Sequence, residues 1–109
     1  MIPRAQIKEF AQEVGRRFQP ERIILFGSYA HGTPTEDSDA DLLVIMSHED
    51  HAAVQAARIR QQVRAGFPMD LIVRSPDTIR QRVAQGDCFI EEILESGVTL
   101  YEAEHAGVG

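Results

Sequence analysis

Five residues in three short segments of the chain have the types and spacing to do chemistry. Gly27-Ser28 directly follows the apolar run Ile23-Ile24-Leu25-Phe26. Glycine allows a sharp backbone turn and lets a ligand approach where a Cβ would stand in the way. Amides that open a short helix favour a phosphate, and the Ser28 hydroxyl can donate one more hydrogen bond. Asp39-Ala40-Asp41 opens a second apolar run, Leu42 to Met46. Residues two apart on a strand point to one face, so both carboxylates project together. Held that close they repel, and one pKa rises unless cations lie between them. Such hard oxygen donors suit Mg²⁺, with Mn²⁺ also fitting. The third segment is Met69-Asp70-Leu71-Ile72-Val73, an acid inside an apolar run. An unpaired acid is costly to bury there. Each segment also has a plainer reading: a simple turn for Gly-Ser, a solvated strand end for Asp39 and Asp41, and an ion pair with Arg22 or Arg74 for Asp70.

The elements that must position these residues alternate helix and strand, which argues for an α/β or mixed α+β domain. Ile7, Phe10, Ala11, Val14 and Phe18 recur at helical spacing behind Pro3, and Gln19-Pro20-Glu21 breaks that helix. Residues 22–26 read as a buried strand, and residues 28–31 as the start of a short helix. Residues 32–38 form a loop by composition. The run from Asp39 to Met46 is apolar on both faces, as a central strand is. Ser47 and Asp50 resemble a capping box, so a helix is expected to start there, with Ala52, Ala56, Ile59 and Val63 as its stripe. Residues 69–73 form a third strand. Ser75-Pro76-Asp77 is a helix start, and that helix runs to about Gly86. A last helix uses Phe89, Ile90, Ile93 and Leu94 and stops at Gly97. Residues 98–101 form a final strand, and the tail from Ala103 is expected to fray.

With 109 residues and 43% apolar content, a single domain over residues 1–109 is expected. No run approaches the roughly 18 apolar residues of a membrane span. Arg4 and Lys8 lead into a mixed polar stretch, so the expected compartment is the cytoplasm. Cys88 is the one cysteine, which excludes an internal disulfide. A net charge of −6 disfavours tight non-specific binding to nucleic acid. No Lys or Arg follows Arg82, while Asp87, Glu91, Glu92, Glu95, Glu102 and Glu104 do. That stretch reads as a solvated acidic helix face or as a docking surface for a basic partner. His48 and His51 read as a solvated first helical turn, Tyr101 as a cover on the core edge, and Tyr29 as either pocket lining or packing.

Leu25-Phe26-Gly27-Ser28-Tyr29-Ala30-His31-Gly32, followed by Ser38-Asp39-Ala40-Asp41-Leu42, resembles the DNA polymerase β nucleotidyltransferase superfamily. The shared pattern is Gly-Ser, about ten residues, then acid–apolar–acid–apolar, and Asp70 falls where a third carboxylate strand belongs. The short length resembles the minimal nucleotidyltransferases (MNT), found beside HEPN-domain proteins as toxin–antitoxin pairs. The resemblance implies a nucleotidyltransferase fold, a small mixed sheet of three to four strands flanked by helices. It also implies in-line transfer of a nucleoside monophosphate from ATP or another NTP, with two Mg²⁺ ions. Asp39, Asp41 and Asp70 would be the catalytic and metal-holding residues, and Gly27 and Ser28 would grip the β- and γ-phosphates. The implied acceptor is a tyrosine on a HEPN-type partner. The alternatives are a non-catalytic module that neutralises its partner by occlusion and a small-molecule nucleotidyltransferase. One departure is His31, where many members carry arginine; neutral histidine holds a phosphate less firmly.

Overall fold

The computed structural model describes residues 1–103. Helix α1 (Arg4–Phe18) leads into strand β1 (Arg22–Phe26) and the single turn α2 (Ser28–His31). Strand β2 (Ala40–Ile45), helix α3 (Ala52–Gln62) and strand β3 (Met69–Arg74) follow. Helices α4 (Pro76–Ala84) and α5 (Cys88–Ser96) then precede strand β4 (Val98–Glu102). The four strands form one sheet in the order β3-β2-β1-β4. β1 runs antiparallel to both of its neighbours, whereas β2 and β3 are parallel and joined through α3. The sheet is therefore mixed, as the resemblance implies.

Strand periodicity of two divides the apolar residues between two faces. Ile23, Leu25, Leu42, Val44, Leu71 and Val73 face Ile7, Phe10 and Val14 of α1 and Ile59 of α3. On the opposite face Ile24, Leu43 and Ile45 pack against Ile79 of α4 and Ile90 and Ile93 of α5. Leu42, Leu43 and Val44 on β2 are wholly buried, because helices cover both sides of this central strand.

Local chemistry explains most element boundaries. Gln19 closes α1 in the left-handed conformation, φ 51°, donating its N–H to Gly15 O at 3.0 Å. Ser75 caps α4 by accepting from Thr78 N at 3.1 Å, with Pro76 at the first helical position. Asp87 caps α5 through bonds from Phe89 N and Ile90 N at 3.0 and 3.2 Å. These hydrogen bonds, that from Ile90 first, hold the Asp87 carboxyl below its ordinary range despite some opposing desolvation.

Two expectations are corrected. The helix expected from Ser47 starts only at Ala52, with His51 as its N-cap and no side-chain cap bond. Pairing beyond β2 continues through Met46 N to Arg74 O at 3.0 Å, which keeps the chain extended there. Asp50 accepts from Arg58 at 2.7 Å instead of capping a helix. His48 and His51 therefore precede the helix, and His48 Nδ1 lies 2.6 Å from Asp50 O. Nor does Ala103 fray: its N–H bonds Glu21 O at 3.0 Å. The rest of the expected frayed tail, residues 104–109, lies outside the described residues. Among the described residues no helix is long and apolar enough to cross a membrane.

Candidate active site

The site is assembled at one end of the sheet, where β1 finishes and β2 and β3 begin. Phe26 is the register partner of Asp41 across the antiparallel β1–β2 pair. Asp41 is in turn the register partner of Asp70 across the parallel β2–β3 pair. Cross-strand partners share a face, so both acids project on the side covered by α4 and α5. Asp39 stands just ahead of β2, near enough for its charge to act on the Asp41 carboxyl. Asp41 is half-buried, whereas Asp39 and Asp70 are exposed. Burial pushes the Asp41 carboxyl above its ordinary value, and the negative charges of Asp70 and then Asp39 add to the effect.

Among the described residues no basic side chain pairs with these acids to offset the repulsion. Arg22 is engaged elsewhere: its Nη2 donates to Thr99 Oγ1 at 2.6 Å and its Nε lies 4.0 Å from Glu102. Arg74 turns back to Val73 O at 2.7 Å. The ion-pair reading of Asp70 is thereby removed. The acids do not close tightly on one point, however: among the described residues no three His, Cys, Asp or Glu side chains converge as ligands of a single ion. They form an open, one-sided set of oxygen donors.

Gly27 holds φ 75° and ψ −155°, a conformation that belongs essentially to glycine. It packs directly against Asp41, and a Cβ built on it would overlap Asp41 Oδ2. Glycine is thus required both by the turn and by the approach of the carboxylate. The turn delivers Ser28 to the start of α2. The first intrahelical bonds there run from Ala30 N and His31 N to Gly27 O at 3.1 and 3.2 Å, so the Ser28 and Tyr29 amides precede them.

A cleft of about 510 Å³ opens beside this turn. One wall comes from Phe26, Gly27, Ser28, His31, Thr33 and Asp41, and the other from Phe89, Glu92, Ile93 and Gly97. Asp39 and Asp70 stand outside that lining. The α5 wall is what sequence reasoning missed. Helical spacing places Phe89 in the apolar stripe of its helix, yet it is 53% exposed and packs edge-to-face on Phe26, with ring centroids 5.7 Å apart. Phe89 stands four residues before the buried Ile93, on the same stripe, so helical spacing alone could not separate it from the core.

Other candidates resolve simply. Tyr29 packs in the core, 6% exposed, with its hydroxyl accepting from Ile2 N at 3.0 Å. Tyr101 is half-buried against the core, as expected. Arg80 pairs with Asp77, and Arg82 pairs with Asp87 at 3.2 Å, so neither reaches the cleft. The C-terminal acids divide among roles: Asp87 caps α5, Glu92 lines the cleft and Glu102 faces Arg22.

Residues 7–99 match the family model described as a nucleotidyltransferase domain. The chain belongs to the nucleotidyltransferase domain family. This nucleotidyltransferase is 32% identical over 97 residues to the "Putative protein adenylyltransferase MJ0604" of Methanocaldococcus jannaschii, a match covering 87% of this chain and 94% of the relative. Its fold is similar to a solved "putative nucleotidyltransferase from Sulfolobus solfataricus", with TM-score 0.63, 21% identity, and coverage of 93% of this chain and 81% of that one. It is also similar in fold to a chain in a structure described as "the toxin-antitoxin with AMP-PNP", with TM-score 0.52, 20% identity, and coverage of 91% and 76%.

Proposed function

We propose that this nucleotidyltransferase moves a nucleoside monophosphate, AMP from ATP foremost, onto a hydroxyl of a protein, and that the acceptor is a tyrosine of a HEPN-type toxin that it thereby neutralises. The observation that carries the transfer chemistry is the set of three carboxylates gathered at one end of the sheet, without a basic partner among the described residues, beside the Gly27 turn. The relative named a protein adenylyltransferase supports the protein acceptor, and the toxin–antitoxin fold neighbour supports the antitoxin role.

The donor set suits hard divalent cations: three carboxylate groups, one of them destabilised by its like-charged neighbours. Asp39 and Asp41 would hold two Mg²⁺ ions, with Mn²⁺ able to replace them, and Asp70 would complete the set. Bound there, the ions supply neutralising charge for the attacking and leaving oxygens. The chain's own residues do the rest. The Gly27 turn lets phosphate oxygens approach the backbone, and the Ser28 hydroxyl donates to a β- or γ-phosphate oxygen. The acceptor oxygen attacks the α-phosphorus and forms the new P–O bond, the bond to the bridging α–β oxygen breaks, and pyrophosphate leaves. Asp70, exposed at the site edge, takes the hydroxyl proton.

The test is transfer of label from α-labelled ATP to purified partner, read alongside intact mass. Wild type is expected to add one nucleotide to the partner, and Asp39→Asn with Asp41→Asn to abolish transfer. Neutralisation of the partner without any mass gain would refute catalysis and favour occlusion.

A further inference from the structure

We propose that Phe89 is the surface on which the nucleobase stacks, and that Glu92 selects bases bearing an exocyclic amino group; this rests on the nucleotidyl-transfer reading of the cleft. Phe89 is an exposed aromatic ring at the cleft wall, 53% accessible, on a helix whose neighbouring Ile90 and Ile93 are buried. It is held in place from two sides. Its ring sits edge-to-face on Phe26, with an interplanar angle of 87°. Its backbone N–H is fixed by the Asp87 cap at 3.0 Å. An oriented ring open to a cleft is a stacking platform that tolerates any base.

Charge sets the direction of the ligand. Glu92 lies three residues beyond Phe89 on the same helix and lines the same wall, so the two side chains are neighbours. That wall repels a triphosphate, whereas at the opposite one Gly27 and Ser28 receive it once Asp41 and its neighbouring acids are neutralised by the divalent cations they would hold. The base is then the part of the nucleotide left beside α5. The volume of about 510 Å³ lies in the range of small-molecule sites. Glu92 forms no ion pair among the described residues. An ionised carboxylate only accepts hydrogen bonds. It favours the amino group of adenine or cytosine and disfavours the carbonyl that uracil presents at the equivalent position.

Calorimetric titration of the full chain with α,β-methylene ATP, α,β-methylene UTP and inorganic tripolyphosphate, each with Mg²⁺, tests this without turnover. Phe89→Ala is expected to weaken the ATP analogue about tenfold, with tripolyphosphate unchanged and Phe89→Trp restoring affinity. Phe89→Leu, which keeps an apolar side chain without a π-face, is expected to behave like Phe89→Ala, so a folding defect in one variant does not decide the outcome. Glu92→Gln is expected to reduce the preference for ATP over UTP analogue by about tenfold. Wild-type affinity for the ATP analogue in both Phe89→Ala and Phe89→Leu overturns the platform while leaving the transfer reading intact, and an unchanged base preference in Glu92→Gln overturns the selection. Absence of binding by wild type to all three ligands overturns this inference and the transfer reading together.

Discussion

Gly27 presses against the side chain of Asp41 with no space for a methyl group between them. The contact joins the turn after β1 to the most buried of the three acids. Gly27→Ala would impose both an unfavourable backbone conformation, costing about 1–3 kcal/mol, and a displacement of the carboxylate. Misplacement of about 1 Å near reacting groups costs about a hundredfold in rate. Labelled transfer is therefore expected to fall at least that far, with a lowered Tm; wild-type transfer by a folded Gly27→Ala variant would show that the contact has no part in the chemistry.

The raised pKa of Asp41 predicts a trade between stability and function. A carboxyl whose folded pKa is raised contributes stability that is complete below its unfolded value and is lost as pH rises through the folded value. Above that folded value the ionised Asp41 thus opposes folding of the metal-free protein. Asp41→Asn is expected to raise Tm at pH 7 in EDTA, with the difference shrinking as pH falls through the raised folded value and gone below about 4. Added Mg²⁺ is expected to raise Tm of wild type and to leave this variant unmoved. Thermal melts across pH and metal check both arms.

Tyr29 offers a contrasting case, since its buried hydroxyl serves the amino-terminal backbone at Ile2 and not the cleft. Tyr29→Phe is expected to cost about 0.5–1.5 kcal/mol of stability by denaturant unfolding. Nucleotide affinity is expected to stay at the wild-type value. A specific loss of affinity at unchanged stability would place the ring in the binding site.

Gly15 lies in α1 under the ring of Tyr101, where a Cβ would overlap the ring carbons. Helix propensity alone favours alanine there by about 1 kcal/mol. Overpacking against the ring opposes it by about 1–3 kcal/mol. Gly15→Ala is expected to destabilise the wild-type background and to stabilise the Tyr101→Ala background. Unfolding free energies for the four proteins of the cycle measure the sign change.

The strands were legible because their apolar runs are bounded by turn residues, and the nearness of Asp39 to Asp41 follows from their spacing in the chain. That Asp70 joins them could not be read that way. It depends on β3 lying beside β2 with Asp70 opposite Asp41, a register set by the path through α3. The α3 start was misread because a local capping pattern at Ser47 competes with pairing between Met46 and Arg74, and the non-local bond prevails. The α5 wall was hidden for a related reason: whether Phe89 packs inward or looks into a cleft is decided by Phe26 across the fold, not by helical spacing.

β3 is an outer strand, paired through one ladder to β2. Side chains alternate along it, so sliding this strand by a single residue would point Asp70 into the helix-packed layer on the reverse side and bring a neighbouring apolar residue forward. The burial of Leu71 and Val73 in that layer locks the strand against such a slip. Aliphatic side chains on the far face of β3 thereby hold Asp70 beside Asp41.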